Sequence, residues 1–236
     1  MTTSGVRSYL APVRVFSTLA TQVAWPELTR RFTQQNGRGV EDVFGPTVAL
    51  MQRISAGETA DVAILIRQSA QELAAAGVLG DCTDIAMSYV GLAVKAGAAK
   101  PDIGTVDALK ATLLAARSIA YSRIGASGLY FAGLIQRLGI ADAVNAKATI
   151  ISGGFTAERV AKGGTELAVQ QLSELKAVAG VDIVGPLPLE LQQPAVLTAA
   201  VFARSDKAEA ARQLVAFLAS AEARPILTAS GLEPMD

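Results

Sequence analysis

The chain of 236 residues contains no histidine and a single cysteine, Cys82. Without histidine it lacks the commonest general base, the imidazole metal ligand and every nucleophile of the Ser-His or Cys-His type. One cysteine cannot form an intrachain disulfide, and with no histidine beside it a structural zinc site is excluded in practice. We therefore expect no metal and no cofactor. Any proton transfer would need Asp, Glu, Tyr, Lys or an activated hydroxyl.

An excess of charge is also missing, because 21 Lys and Arg residues balance 21 Asp and Glu residues. The absence of a basic stripe argues against nucleic acid as a partner. No run reaches the ~18 apolar residues typical of a membrane-spanning helix. Residues 1–14 also lack the apolar core of a secretory signal. We expect a monomer, periplasmic if a signal peptide has been removed and cytoplasmic otherwise.

The segment Tyr121–Gly128, YSRIGASG, lies between an apolar run and a helical pattern. It predicts a strand end, a Gly/Ser-rich turn and a helix start, where backbone N–H groups and a helix dipole converge. Ser122 and Ser127 add hydroxyl donors. Arg123 adds a guanidinium that can hold a carboxylate through two hydrogen bonds. The segment is a candidate pocket for a small anion.

The first third of the chain alternates strands with helices. The predicted strands are 13–16, 40–44 and 61–66, and the predicted helices are 25–35, 50–57 and 70–76. This pattern favours a parallel, doubly wound sheet, which binds ligands at the carboxyl ends of its strands. Those ends carry Ser17-Thr18, Gly45-Pro46-Thr47 and Arg67-Gln68.

A second α/β series follows, between two extended apolar stretches at 89–95 and 197–202. Its predicted helices are 106–115, 129–138, 156–161 and 173–176, and its strands are 118–121, 148–151, 167–171 and 181–184. The turn at Gly153-Gly154 could offer backbone N–H groups. Because side chains alternate along a strand, we expect only one of Gln170 and Gln171 to face a ligand. The chain ends in predicted helices at 207–220 and 221–230.

This order resembles the type II periplasmic solute-binding proteins, in particular their molybdate-binding branch. The similarity covers nearly the whole chain and is found at Phe16–Leu19, Phe44–Leu50, Gly57, Ala60–Val62, Glu166–Gln171, Phe217-Leu218 and Gly231–Pro234. It implies an α/β fold of two lobes, each a mixed, mostly parallel sheet flanked by helices. Lobe 1 would comprise 1–88 and 197–236, and lobe 2 would comprise 89–196. The two extended stretches would be hinge crossings that let the lobes close on a ligand.

The resemblance also implies which residues bind. Thr18 and Thr47 fall where the molybdate-binding proteins place ligand-binding serines, and Gly125–Ser127 falls where they offer backbone N–H groups. Gln171 falls near a family tyrosine that donates to the ligand. The chain departs from the family at Pro46, which replaces a serine, and at Arg123, which favours a planar carboxylate over molybdate. The predicted ligand-binding set is Ser17, Thr18, Gly45, Thr47, Ser122, Arg123, Ser127, Gly153, Gln170 and Gln171.

Two functions remain open at this point. The first is a solute-binding protein that captures a small anion, a carboxylate or a molybdate-like oxyanion, for an ABC-type membrane complex. The second is a cofactor-free isomerase of a small unsaturated di- or tricarboxylate, similar to an aconitate isomerase. Allylic proton transfer needs a base with a pKa near the working pH. No acid or lysine is clearly placed at a strand end, so the sequence assigns no catalytic residue.

Overall fold

The computed structural model describes residues 10–235, which form two mixed β-sheets with helices on their faces. The strands are β1 (Val13–Thr18), β2 (Val40–Gly45), β3 (Val62–Ile66), β4 (Leu79–Ser88), β5 (Val90–Lys95), β6 (Ile119–Ser122), β7 (Ala148–Ile151), β8 (Leu167–Gln171), β9 (Val181–Pro186), β10 (Ala195–Phe202) and β11 (Glu233–Pro234). The helices are α1 (Trp25–Asn36), α2 (Thr47–Ser55), α3 (Arg67–Ala75), α4 (Val106–Ala115), α5 (Ala126–Arg137), α6 (Ala141–Asn145), α7 (Ala157–Ala161), α8 (Leu172–Lys176), α9 (Ala208–Leu218) and α10 (Arg224–Ala229). No helix within residues 10–235 is long and apolar enough to cross a membrane.

The first sheet has the strand order β11-β4-β10-β3-β1-β2. Strand β1 runs parallel to β2 and β3, whereas β10 is antiparallel to β3 and β4. Residues Val62–Leu65 of β3 are fully buried, as expected of a strand covered on both faces. Helices α1 and α9 pack on one face of this sheet, and α2 and α3 pack on the other. We call this sheet with α1–α3, α9 and α10 the first lobe.

The second sheet has the order β7-β6-β8-β5-β9. Strand β6 is parallel to β7 and β8, and β5 is antiparallel to β8 and β9. Helices α4, α5 and α6 cover one face, and α7 and α8 cover the other. We call this sheet with α4–α8 the second lobe. The predicted two-lobe α/β fold is therefore confirmed, with more antiparallel pairing than the β-α-β pattern indicated.

Strand β4 was not predicted. Its sequence, LGDCTDIAMS, includes Asp81 and Asp84 and has no regular apolar alternation. Tertiary partners hold Asp84 in place, because its carboxylate binds the Arg67 guanidinium at 2.5 Å and the Thr198 hydroxyl at 2.5 Å. Helices α2 and α5 begin three residues earlier than predicted, at Thr47 and Ala126. The turns that follow β2 and β6 therefore lead directly into α2 and α5.

The chain passes between the sheets at two places. It leaves the first sheet after Ser88, enters the second at Val90, and returns between Pro186 and Ala195. This corrects the position of the expected crossings, since 90–95 and 197–202 lie inside the sheets as parts of β5 and β10. The connecting segments are Tyr89 and 187–194. The lobe limits 1–88, 89–196 and 197–236 stay a prediction, and residues 1–9 and 236 lie outside the described residues.

The two lobes are in direct contact beside a central cleft. The Val48 N–H of the first lobe is 3.5 Å from the Ile124 carbonyl oxygen of the second. The hydroxyls of Ser88 and Ser173 lie 3.4 Å apart. These contacts bring the carboxyl ends of the strands in each lobe to face each other, which is where an α/β sheet presents its ligand-binding turns.

Candidate functional site between the lobes

A cleft lies between the carboxyl ends of the two sheets and is nearly closed. The volume of this cleft is about 20 Å³, slightly more than the ~10–15 Å³ that one water needs. Its wall in the first lobe is formed by Thr18, Leu19, Ala20, Pro46, Thr47, Ile66 and Leu197. Its wall in the second lobe is formed by Ser122, Gly125, Ala126, Ser127, Gly153, Gly154, Gln170, Gln171 and Glu174. A ligand of several carbons would need the lobes to move apart.

Two helices from opposite lobes point their N-termini at this cleft. Helix α2 begins at Thr47 and helix α5 begins at Ala126, and both positions border the cleft. Neither helix has a side-chain cap on its N-terminal N–H groups. The first N–H groups of a helix have no partner within it and carry the positive end of the dipole. The geometry is that of an anion site formed by neutral donors.

The turn before α5 is shaped by Ser122 and Gly128. The Ser122 hydroxyl oxygen accepts hydrogen bonds from the Ile124 N–H at 3.2 Å and the Gly125 N–H at 3.4 Å. A Cβ at Gly128 would lie only 1.7 Å from the Ser122 carbonyl oxygen. Glycine at this position therefore allows α5 to start close against the end of β6, with Ser122 and Ser127 at the cleft.

Thr18 provides a polar group without a partner. It is 5% exposed, and within residues 10–235 its buried hydroxyl has no hydrogen-bond partner. A buried hydroxyl without a hydrogen bond costs about 1–3 kcal/mol. Because Thr18 borders the cleft, a bound anion would satisfy this hydroxyl.

Three predicted site residues do not line the cleft. The Ser17 hydroxyl is bound to the Thr21 hydroxyl at 2.6 Å, and Gly45 is covered by the Leu50 side chain. Arg123 is exposed and donates to the Tyr121 hydroxyl and to Asn145 Oδ1. Ser122, the last residue of β6, borders the cleft, whereas Arg123 lies just beyond the strand and its guanidinium is held at the Tyr121 hydroxyl instead.

Both predicted glutamines border the cleft, although only one was expected to face a ligand. The Gln170 side-chain oxygen accepts hydrogen bonds from the Thr156 N–H at 2.7 Å and the Thr156 hydroxyl at 2.9 Å. Its side-chain nitrogen donates to the Gly154 carbonyl, which fixes the 153–156 turn. Gln171 is the last residue of β8, where the backbone turns into α8, so strict alternation ends there.

Glu174 was not among the residues predicted for the site. This residue lies in the first turn of α8, borders the cleft and is 8% exposed. Its Oε2 accepts a hydrogen bond from the Gln171 N–H at 3.4 Å. Burial raises the pKa of its carboxyl from 4.5 to about 7, against hydrogen bonds from Gln171 and Gln170 that lower it. Glu174 caps the start of α8, but Gln171-x-x-Glu174 lacks the leading Ser or Thr of the capping-box pattern, so no local signal in the sequence identified it.

Charge and metal-binding capacity at the site are limited. Among the described residues that border the cleft, Glu174 is the one ionisable side chain. Residues 10–235 contain no group of three or more His, Cys, Asp or Glu side chains suited to a metal ion. The cleft therefore combines neutral hydrogen-bond donors with one carboxyl group that changes charge near neutral pH.

Comparison with known proteins gives both sequence and fold relatives. Residues 13–233 match the family described as bacterial extracellular solute-binding proteins. An aconitate isomerase of a Pseudomonas species is 38% identical over 190 residues, which cover 79% of this chain and 72% of that protein.

Two solved structures share the fold over nearly the full chain. The Azotobacter vinelandii periplasmic molybdate-binding protein has a TM-score of 0.80 and 20% identity, covering 95% of this chain and 100% of that one. The sulfate-binding protein SubI of Mycobacterium tuberculosis has a TM-score of 0.77 and 18% identity, covering 96% and 88%. At these identities, the two structures establish the fold alone.

Proposed function

Because this chain belongs to the bacterial extracellular solute-binding protein family, we propose that it captures a small anion in the cleft between its lobes. The observation that supports this most directly is the meeting of the α2 and α5 N-termini from opposite lobes beside the unpartnered Thr18 hydroxyl. Backbone dipoles and hydroxyls bind an anion without a full positive charge. Periplasmic location and delivery to an ABC-type membrane complex form part of this proposal, and the family supports both.

Ligand-dependent stabilisation tests this proposal. Purified protein is heated with molybdate, sulfate, citrate, cis-aconitate or trans-aconitate in turn. A ligand that binds only the folded state at 100 times its Kd stabilises by ~2.7 kcal/mol, which for a domain of this size raises Tm by roughly 5–10 °C. We expect saturable stabilisation by at least one of these anions and none by sodium chloride at matched ionic strength. No stabilisation by any of them would contradict anion capture.

A second candidate function is isomerisation of an unsaturated carboxylic acid such as aconitate. Two observations favour it: the 38% identity to an aconitate isomerase, and the buried Glu174 carboxyl at the cleft. A six-carbon acid exceeds the closed cleft, so its entry would require the lobes to rotate apart about the segments at Tyr89 and 187–194. Proton NMR of cis-aconitate with concentrated protein would detect the trans isomer. An unchanged spectrum after prolonged incubation would remove this candidate.

A further inference from the structure

We propose that Glu174 is the catalytic acid–base residue of the cleft, taking a proton from a bound unsaturated carboxylate and returning it at another carbon. This inference rests on the isomerisation proposed above and assigns its proton-transfer group. Glu174 is buried, borders the cleft and comes from the second lobe, opposite Thr18 and Thr47 of the first. The described residues around the cleft provide no histidine, lysine, tyrosine or arginine side chain that could do the same work.

A purely structural role does not account for the residue type. At the third position of a helix, glutamine can complete a capping box as well as glutamate. A surface glutamate there would be solvated, but Glu174 is buried, where the charged form is penalised. The chain thus has an ionisable group at a position where a neutral one would cap the helix equally well. Such groups at clefts are candidates for acid–base chemistry.

The proposed step balances without a cofactor. The Glu174 carboxylate removes a proton from the methylene carbon next to the substrate double bond, so a C–H bond breaks and an O–H bond forms. The electron pair spreads over the three allylic carbons and the adjoining carboxylate as a dienolate. Glu174 then delivers a proton, either retained or exchanged with solvent, to the far allylic carbon, the double bond moves by one position, and Glu174 is again ionised. Nothing is oxidised or reduced.

The rest of the cleft suits the intermediate of this reaction. The N-terminal N–H groups of α2 and α5 would stabilise the negative charge that develops on the substrate carboxylate. Gln171 holds the Glu174 side chain through its backbone N–H, which limits the rotamers of the acid.

The experiment compares wild type with Glu174→Gln, which preserves the cap and the volume. Three quantities are measured with cis-aconitate: binding by calorimetry, formation of the trans isomer by NMR, and deuterium incorporation into the methylene group in D₂O. We expect Glu174→Gln to bind cis-aconitate and to lose ~10²–10⁴-fold in both isomerisation and exchange. Glu174→Asp should recover part of the activity. Glu158→Gln, on the exposed surface of α7, is the matched control and should behave as wild type.

The outcomes separate the two proposals. If wild type isomerises and Glu174→Gln isomerises and exchanges deuterium at the same rate, Glu174 is not the acid–base residue, while isomerisation stands. If wild type binds cis-aconitate without isomerisation or exchange, both the isomerase and the role of Glu174 are overturned, and anion capture remains. Loss of binding together with activity in Glu174→Gln would also reject the acid–base assignment, because it would show that the residue holds the ligand.

Discussion

The Arg123 guanidinium donates to the Tyr121 hydroxyl, with 3.0 Å between Arg123 Nη2 and the phenolic oxygen. The same hydroxyl donates to Asn145 Oδ1 at 2.5 Å, and the Arg123 Cζ lies 5.8 Å from the Tyr121 ring centre. These contacts tie the end of β6 to α6 on the side of the sheet away from the cleft. The one arginine of the anion-binding turn is therefore engaged in a structural contact.

The first prediction concerns Arg123→Ala. Because the guanidinium points away from the cleft, the affinity for cis-aconitate or molybdate should change by less than about threefold. Loss of the partly exposed contacts should lower the free energy of unfolding by about 1 kcal/mol. Calorimetry and urea unfolding measure the two quantities, with Arg117→Ala as a control for the lost charge. A tenfold or greater loss of affinity specific to Arg123→Ala would make this arginine a ligand-binding residue after all.

Thr18→Val should separate binding from stability. The substitution removes a buried hydroxyl that has no partner within the described residues, so the free energy of unfolding should stay the same or rise. If the hydroxyl donates to the bound anion, affinity should fall by about 10- to 100-fold, which corresponds to the ~1.5–3 kcal/mol of a hydrogen bond to a charged group. Thr29→Val on α1, away from the cleft, should leave affinity unchanged. Equal affinities for Thr18→Val and wild type would remove Thr18 from the site.

Gly128→Ala should disturb the anion-binding turn. The added methyl would lie 1.7 Å from the Ser122 carbonyl oxygen, so α5 must shift away from β6. We expect a loss of about 1–3 kcal/mol in unfolding free energy, with weaker anion binding.

Gly133→Ala, one and a half turns further along α5, is the matched control. Its methyl would meet only Arg137 Nη1, at 3.5 Å. The higher helix propensity of alanine should stabilise this variant by up to about 1 kcal/mol. If the two variants were equally stable in urea, the close approach of α5 to β6 would not require glycine.

Glu174→Gln should change how stability depends on pH. The folded protein holds the Glu174 proton up to a pKa of about 7, and the unfolded chain releases it near 4.5. Between these values the folded state binds more protons, so the contribution of Glu174 to stability is greatest below pH 4.5 and is lost as pH rises to 7. Glu174→Gln should therefore match wild type near pH 4.5 and exceed it by about 3 kcal/mol at pH 8.

Urea unfolding at both pH values measures this difference. On the strands packed near α8, Asp182 accepts a hydrogen bond from the Gly97 N–H, and Lys95 lies at the end of β5 remote from Gln171. Both groups are retained in the variant, so they affect wild type and Glu174→Gln alike. The exposed control Glu158→Gln should differ from wild type by less than ~0.5 kcal/mol. A constant difference between Glu174→Gln and wild type across this pH range would show that Glu174 titrates normally.

Local patterns predicted the regular elements well where one face of the chain is apolar. The buried run at Val62–Ile66 matches the structure, and so does the helix that begins at Trp25 and stops before Gly37, whose φ is +65°. Strand β4 escaped prediction because one of its two aspartates, Asp84, is held by Arg67 and Thr198, which are distant in sequence. The starts of α2 and α5 were placed three residues too late because residues 47–49 and 126–128 come before the first leucine of each helical pattern.

The sequence by itself determined the two-lobe α/β fold and the hydroxyl- and glycine-rich turns at Thr18, Thr47 and Ser122, because strand order brings the carboxyl ends of strands together. Tertiary structure alone decided which side chains of those turns reach the cleft and which other groups border it. Side-chain direction beyond the end of β6 took Arg123 out of the cleft, since its guanidinium is held by the Tyr121 hydroxyl and Asn145 Oδ1. Burial under the opposite lobe turned an ordinary capping glutamate, Glu174, into a group that titrates near neutral pH, and no local pattern reports burial between two lobes.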